Sequence, residues 1–223
     1  AAALVARGIV RGDRVIVFMG NTWEAVVSIF AVLKAGAVFS PINPSTKADK
    51  LAFVLNNCRA AGIVTETRLA STTAQAMAEA PSVRLVTLVG GECGGTSESC
   101  LSFEDAIRAD VPPPPRPAGI TLDLAMLVYT SGSTGFPKGV MMTHQNVAAA
   151  AGSITTYLEN REDDIILGVL PISFDYGLYQ VLMAARVGAT LVLEKSFAFP
   201  QAILNRMAEE KVTGLPLVPT MAA

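Results

Sequence analysis

Charge, histidine and cysteine are all scarce in this chain. Charged residues make up 16% of its 223 residues, the formal net charge is -2 and the pI is near 5.5. No basic footprint is available to meet a phosphodiester backbone, which argues against nucleic acid as a partner. One histidine, His144, and three cysteines without any Cys-x-x-Cys spacing leave no zinc-binding pattern. Long hydrophobic runs are missing as well. Mean hydropathy is +0.45, yet the apolar stretches Ala25 to Leu33 and Ile165 to Ile172 are far shorter than the roughly 20 residues of a spanning helix, so they read as core. The chain opens at Ala1 without a charged segment, apolar stretch and cleavage site, which argues against a signal peptide, and the expected compartment is the cytoplasm.

The few cysteines divide by setting. Cys58 shares a helical face with Leu51, Val54 and Leu55 and is expected as a small core residue. Cys93 and Cys100 flank a Gly-Gly-Thr-Ser segment; they could pair only in an oxidising compartment, and both are expected reduced.

A hydrophobic content of 51% fits a buried α/β interior. Strands are expected at Arg14 to Met19, Val38 to Ile42, Gly62 to Thr65 and Arg84 to Val89. Helices are expected between them: one carrying Trp23, Val26, Val27 and Phe30 on its core face until Gly36, one from Thr46 to Asn57 with Asp49 in capping-box position, and one from Leu69 to Ala80. Such alternation implies parallel pairing with right-handed crossovers, and ligands bind at the carboxyl ends of such strands. A run of four prolines, Pro112 to Pro115, with Pro117 close behind, excludes helix and central strand. After it come strands at Leu124 to Thr130, Val140 to Met142, Ile165 to Leu170 and Thr190 to Leu193, with helices at His144 to Leu158 and around Leu178 to Ala185. The expected fold class is α/β, with two αβαβα-type subdomains and mainly parallel sheets, the second incomplete. Residues 1–111 form the first, 112–118 the proline-rich connector, and 119–223 the start of the second. One continuous sheet, with the prolines crossing its surface, is the open alternative.

Between two of these strands lies Thr130 to Gly139, read Thr-Ser-Gly-Ser-Thr-Gly-Phe-Pro-Lys-Gly. Such a segment has little to contribute to a core and much to offer an anion. Gly132, Gly135 and Gly139 let backbone N–H groups turn together toward a phosphate. Thr130, Ser131, Ser133 and Thr134 add hydroxyls, and Lys138 adds a mobile positive charge. A Walker A loop is excluded by spacing: counted from Gly132, Pro137 stands where the second glycine belongs, and Gly139 follows the lysine. Pro137 fixes its own φ, so Lys138 is expected on a stiffened turn.

These residues resemble a known family. Leu127 to Val140, followed by Thr143-His-Gln-Asn, is similar to the signature loop of the AMP-forming acyl-CoA synthetases and their adenylating relatives, among them luciferases and peptide-synthetase adenylation domains. Leu33-Lys-Ala-Gly-Ala-Val-Phe-Ser-Pro-Ile-Asn-Pro resembles an upstream family motif, and Leu170-Pro-Ile-Ser-Phe-Asp-Tyr-Gly the segment before the acyl pocket. The three occur in the family's order, and the resemblance covers essentially the whole chain. It implies a full-length ATP-dependent acid–thiol ligase that joins a carboxylic acid, fatty or otherwise acyl, to AMP and passes the acyl group to coenzyme A.

Residue by residue, the resemblance implies ATP phosphates held by Thr130, Ser131, Gly132, Ser133, Thr134, Gly135, Lys138 and Gly139, with Lys138 on the β- and γ-phosphates and Thr134 near the magnesium ion that accompanies ATP. Phe174, Asp175 and Tyr176 stand near the substrate pocket, where many relatives carry a histidine; Asp175 is equally well read as a helix N-cap. His144, after Thr143 at a helix start, is expected to be structural, and the acidic run Glu159 to Asp164 a solvated turn. The family's ribose-binding aspartate and catalytic lysine are expected beyond Ala223, so no catalytic residue is assigned here. The 223 residues alone are expected not to complete adenylation, and an apolar truncation face is expected to favour self-association. A non-catalytic nucleotide- or partner-binding module of the same fold is the alternative.

Overall fold

A computed structural model describes residues 1–93, 99–113, 119–130 and 137–222. The chain forms two compact units, residues 1–19 with 24–144, and residues 20–23 with 145–223.

In chain order the first unit contains α1 (Ala2–Ala6), β1 (Arg14–Phe18), α2 (Trp23–Lys34), β2 (Val38–Ile42), α3 (Ala48–Asn57), β3 (Ala60–Glu66), α4 (Ala70–Ala78), β4 (Leu85–Val89), β5 (Cys100–Ser102), α5 (Phe103–Arg108), β6 (Leu124–Thr130) and β7 (Lys138–Thr143). Seven strands form one sheet in the order β5-β4-β3-β1-β2-β6-β7. Every pairing is parallel except that of β6 with β7. β1 reads Arg-Val-Ile-Val-Phe, and its last four residues are buried, as expected of a β-branched strand covered on both faces. Ile16, Phe18 and Ile63 share a core with Leu51, Val54 and Leu55 of α3, and Cys58 joins it as the sequence indicates.

Helix α2 ends where expected, because Gly36 adopts φ +77 and lets the Ala37 N–H turn back to the Val32 carbonyl. Its buried face is not the expected one. Ala25, Ser28, Ile29 and Val32 are buried, whereas Trp23, Val27 and Phe30 stay 55%, 39% and 37% exposed. Apolar residues surround this helix, so helical spacing fits either stripe. The capping box at Thr46 is not formed: α3 starts at Ala48 behind Lys47, whose side chain makes no cap bond. Asn43 instead organises the preceding turn, accepting from the Ser45 N–H and hydroxyl, while Asp49 remains a first-turn acid beside the positive helix end.

The sequence reading set a boundary at 112–118, whereas the compact units divide after His144. The buried run Ala125 to Val128 supplies the reason. It lies beside β2, with Met126 opposite Phe39, and carries β7 onto the same sheet. Residues 114–118 lie outside the described ones. Cys93 and Cys100, expected reduced, are joined by a disulfide with Cα atoms 5.8 Å apart. The chain doubles back after β4 so that Cys100 opens β5 opposite Val86, and this return brings the two sulfurs together.

The second unit holds α6 (His144–Tyr157), β8 (Ile165–Gly168), α7 (Asp175–Val187), β9 (Thr190–Leu193), α8 (Pro200–Glu210) and α9 (Pro219–Ala222). β8 and β9 pair in parallel, and an isolated bridge joins Ile166 to Gly214. Leu167, Val169, Leu170 and Ile203 form its core. Among the described residues no helix is long and apolar enough to cross a membrane.

Candidate functional site

The candidate anion loop is carried by the antiparallel hairpin of β6 and β7. Thr130 stands opposite Lys138, and Tyr129 opposite Gly139. Ser131, Gly132, Ser133, Thr134 and Gly135, and with Thr134 the expected magnesium contact, lie outside the described residues. Thr130 and Lys138 are both exposed. Lys138 is not on a turn; it is the first residue of β7, so its backbone is fixed by the ladder while its side chain extends into solvent. No ion pair joins it to a carboxylate of the described residues. An ammonium on four methylenes beside an exposed hydroxyl is suited to meet a polyanion.

Gly139 has a reason of its own to be glycine. A Cβ there would lie 3.2 Å from Cζ of Tyr129 and 3.4 Å from its hydroxyl oxygen, so the tyrosine ring occupies the space a side chain would need. The Tyr129 hydroxyl donates to Oδ1 of Asn57, the last residue of α3, at 2.7 Å. Burial, with the adjacent Cys58 thiol adding to it, holds the Tyr129 hydroxyl well above its usual 10, so it remains a neutral donor. Burial also raises the Cys58 thiol, and its Sγ donates to the Val54 carbonyl at 3.1 Å, which makes it an inert core residue. Tyr129 and Asn57 were not among the expected site residues. The one signal was position, since Tyr129 directly precedes the loop.

In the second unit, the segment after β8 is held by close backbone approach. Asn21 is buried and uses its whole amide: Nδ2 donates to the carbonyls of Leu170 at 2.9 Å and Glu194 at 3.0 Å, and Oδ1 accepts from the Ile172 N–H at 3.0 Å. Gly177, in the first turn of α7, sits against the same segment. A Cβ there would lie 2.3 Å from the Pro171 oxygen and 2.7 Å from the Leu170 oxygen. The glycine of Phe-Asp-Tyr-Gly is therefore set by packing.

This junction presents Phe174 and Tyr176, 55% and 45% exposed, with Asp175 exposed between them. The N-cap position of α7 is Phe174, and Asp175 is the first helical residue, its Oδ1 accepting from the Tyr176 N–H at 2.8 Å. The N-cap reading of Asp175 therefore gives way to that of a first-turn acid. Tyr176 lines a groove of about 520 Å³ together with Gln180, Asp164 and Thr213; Phe174 and Asp175 are not in its lining. Asp164, in the acidic run, accepts from the Arg161 N–H and the Thr213 hydroxyl, and those bonds hold its carboxyl below the usual 3.8. Among the described residues no group of three His, Cys, Asp or Glu side chains is placed to hold a metal ion.

A family model described as AMP-binding enzyme matches residues 1–223. Phosphinothricin tripeptide synthetase PhsC of Streptomyces viridochromogenes is 33% identical over 213 residues, which are 93% of this chain and 18% of that protein. 4-Coumarate–CoA ligase 5 of Oryza sativa subsp. japonica is 32% identical over 225 residues, 98% of this chain and 40% of that protein. The crystal structure of the anthranilate CoA ligase AuaEII with anthranoyl-AMP superposes with a TM-score of 0.90 at 25% identity, covering 99% of this chain and 42% of that one. The chain thus spans less than half the length of each of these three.

Proposed function

This chain belongs to the AMP-binding enzyme family, and from that premise we propose that it supplies the phosphate-handling part of an AMP-forming carboxylate–CoA ligase. A carboxylate oxygen attacks the α-phosphorus of ATP, the bond to the β-phosphate oxygen breaks, and pyrophosphate leaves. The thiol sulfur of coenzyme A then attacks the acyl carbon and AMP departs. A carboxylate is a poor electrophile, and the adenylate gives it a leaving group; the protein must hold the triphosphate and offset charge on the departing pyrophosphate.

The observation that carries the reading is the exposed Thr130–Lys138 pair at the mouth of the β6–β7 hairpin. Lys138 places its ammonium on the β- and γ-phosphates. Thr130, Ser131, Gly132, Ser133, Thr134 and Gly135 supply hydroxyl and backbone donors around them. Magnesium would enter as the counter-ion of the ATP substrate, and the Thr134 hydroxyl is the contact proposed for it. Phe174, Asp175 and Tyr176 border the acid. That acid is an aryl or fatty acyl carboxylate, in keeping with the coumarate and anthranilate ligases among the similar proteins. The similarity to a peptide synthetase makes a carrier-protein thiol the alternative acceptor. ATP and coenzyme A are cytoplasmic co-substrates, and the proposal places the enzyme there, in a reducing compartment that would open the Cys93–Cys100 bond.

Titration of the chain with ATP and with pyrophosphate tests the phosphate site. Both should bind, and Lys138→Ala should weaken each about tenfold or more, the effect of removing one charge-assisted contact of about 1.5–3 kcal/mol. Equal affinity in wild type and variant would refute the assignment. The 223 residues alone should show no carboxylate-dependent pyrophosphate exchange; turnover would mean that they hold a complete active site.

A further inference from the structure

We propose that Tyr129 is a positioning residue for the phosphate loop, clamping the neck of the hairpin to the end of α3. The inference rests on the reading of 130–139 as a phosphate cradle and adds a control on it from outside the loop. Three contacts carry it. The Tyr129 hydroxyl donates to Asn57 Oδ1 at 2.7 Å, tying β6 to α3. The ring lies over Gly139, so one side chain spans both strands at the first pair inside the loop mouth. The ring also packs on the main core, whose members Leu55, Cys58 and Leu127 are buried.

The consequence is entropic. Phosphate contacts offered from two different strands bind more tightly when the spacing of those strands is already fixed, since fixing it on binding would cost entropy. Holding the two ends in one register lowers the cost, because Thr130 and Lys138 then already face each other when phosphate arrives. Tyr129 thereby acts on phosphate affinity through the loop neck, its own hydroxyl being spent on Asn57. Gly139 serves the same end: its missing side chain leaves room for the ring, which assigns this glycine to the clamp and not to direct anion contact.

The test uses inorganic pyrophosphate as the probe and calorimetry as the readout, with amide hydrogen exchange measured on the ligand-free chain. Tyr129→Phe and Asn57→Ala should each weaken pyrophosphate binding about three- to tenfold, the range set by one hydrogen bond. The double variant should be no weaker than either single one, and Asn57→Asp, which keeps an acceptor, should restore binding. Exchange at residues 129, 130, 138 and 139 should quicken in both single variants. A purely structural role would lower Tm and leave affinity at 25 °C unchanged, and that result overturns the proposal. If Lys138→Ala loses binding while Tyr129→Phe binds as wild type, the clamp is refuted and the phosphate site stands. If the wild-type chain binds no pyrophosphate, the phosphate reading fails and exchange alone decides. Unchanged exchange in Tyr129→Phe then refutes the clamp, and faster exchange retains it as a restraint on the hairpin.

Discussion

Replacing Gly177 by alanine should destabilise the second unit even though alanine is the better helix former. An added Cβ would sit 2.3 Å from the Pro171 oxygen and 2.7 Å from the Leu170 oxygen. Ordinary carbon–oxygen approach is about 3.3 Å, so helix and segment must separate by about 1 Å. Both carbonyls are in use: Leu170 accepts from Asn21 Nδ2 and Pro171 from the Phe174 N–H. Forcing them apart strains or breaks two hydrogen bonds at about 1 kcal/mol each. Overpacking adds about 1–3 kcal/mol, and the intrinsic preference of alanine over glycine in a helix returns about 1 kcal/mol. The net loss is about 2–3 kcal/mol, since strain and bond loss overlap. Urea unfolding followed by circular dichroism should show the midpoint falling by about 1–1.5 M, taking a slope of about 2 kcal/mol/M. Gly214→Ala is the control, because its Cβ would meet the Ile166 side chain at an ordinary 3.7 Å. A Gly177→Ala midpoint equal to that of the control would refute the close-approach argument.

Two other predictions concern covalent and proton equilibria. Reducing the Cys93–Cys100 bond, which closes a loop of sequence separation 7, should lower stability by about 2 kcal/mol on the chain-entropy account. Urea midpoints with and without dithiothreitol check this, and a Cys93→Ser chain indifferent to reductant serves as reference; thiol titration showing three free cysteines before reduction would remove the bond altogether. Asp164 is held below its usual 3.8 by bonds to its carboxylate. Its folded form therefore binds protons less readily than the unfolded one, so its contribution is complete above about pH 4 and is lost as pH falls further. Midpoints measured between pH 6 and 2.5 should drop less steeply in Asp164→Asn; identical profiles would count against the assignment.

How much could be read before folding is clearest residue by residue. The run Val15 to Phe18 was legible because a strand buried on both faces leaves a continuous apolar signal, and Val38 to Ile42 was legible from Val38, Phe39 and Ile42 although Ser40 and Pro41 interrupt it. The glycines and hydroxyls from Thr130 to Gly139 stand out in the sequence against the apolar residues on either side, while residues 131–136 lie outside the described ones. Helix α2 was legible as a helix and not as a buried face, because apolar residues on all sides satisfy the helical period in more than one orientation. Strand β5, three residues long, and α5 behind it carry too little periodicity to register.

The 223 residues by themselves determined the alternating α/β character and the family, because each depends on local composition and order along the chain. Tertiary structure alone decided where β6 would pair, which stripe of α2 would face inward, that Cys93 would meet Cys100, that Gly177 has no room for a side chain, and that one at Gly139 would crowd the Tyr129 ring. Each of these turns on contact between residues distant in sequence or on the space left at a crossing. Such space is set by the fold as a whole, so a glycine that reads as freedom in the sequence becomes, at these two places, the room occupied by a tyrosine ring and a pair of carbonyls.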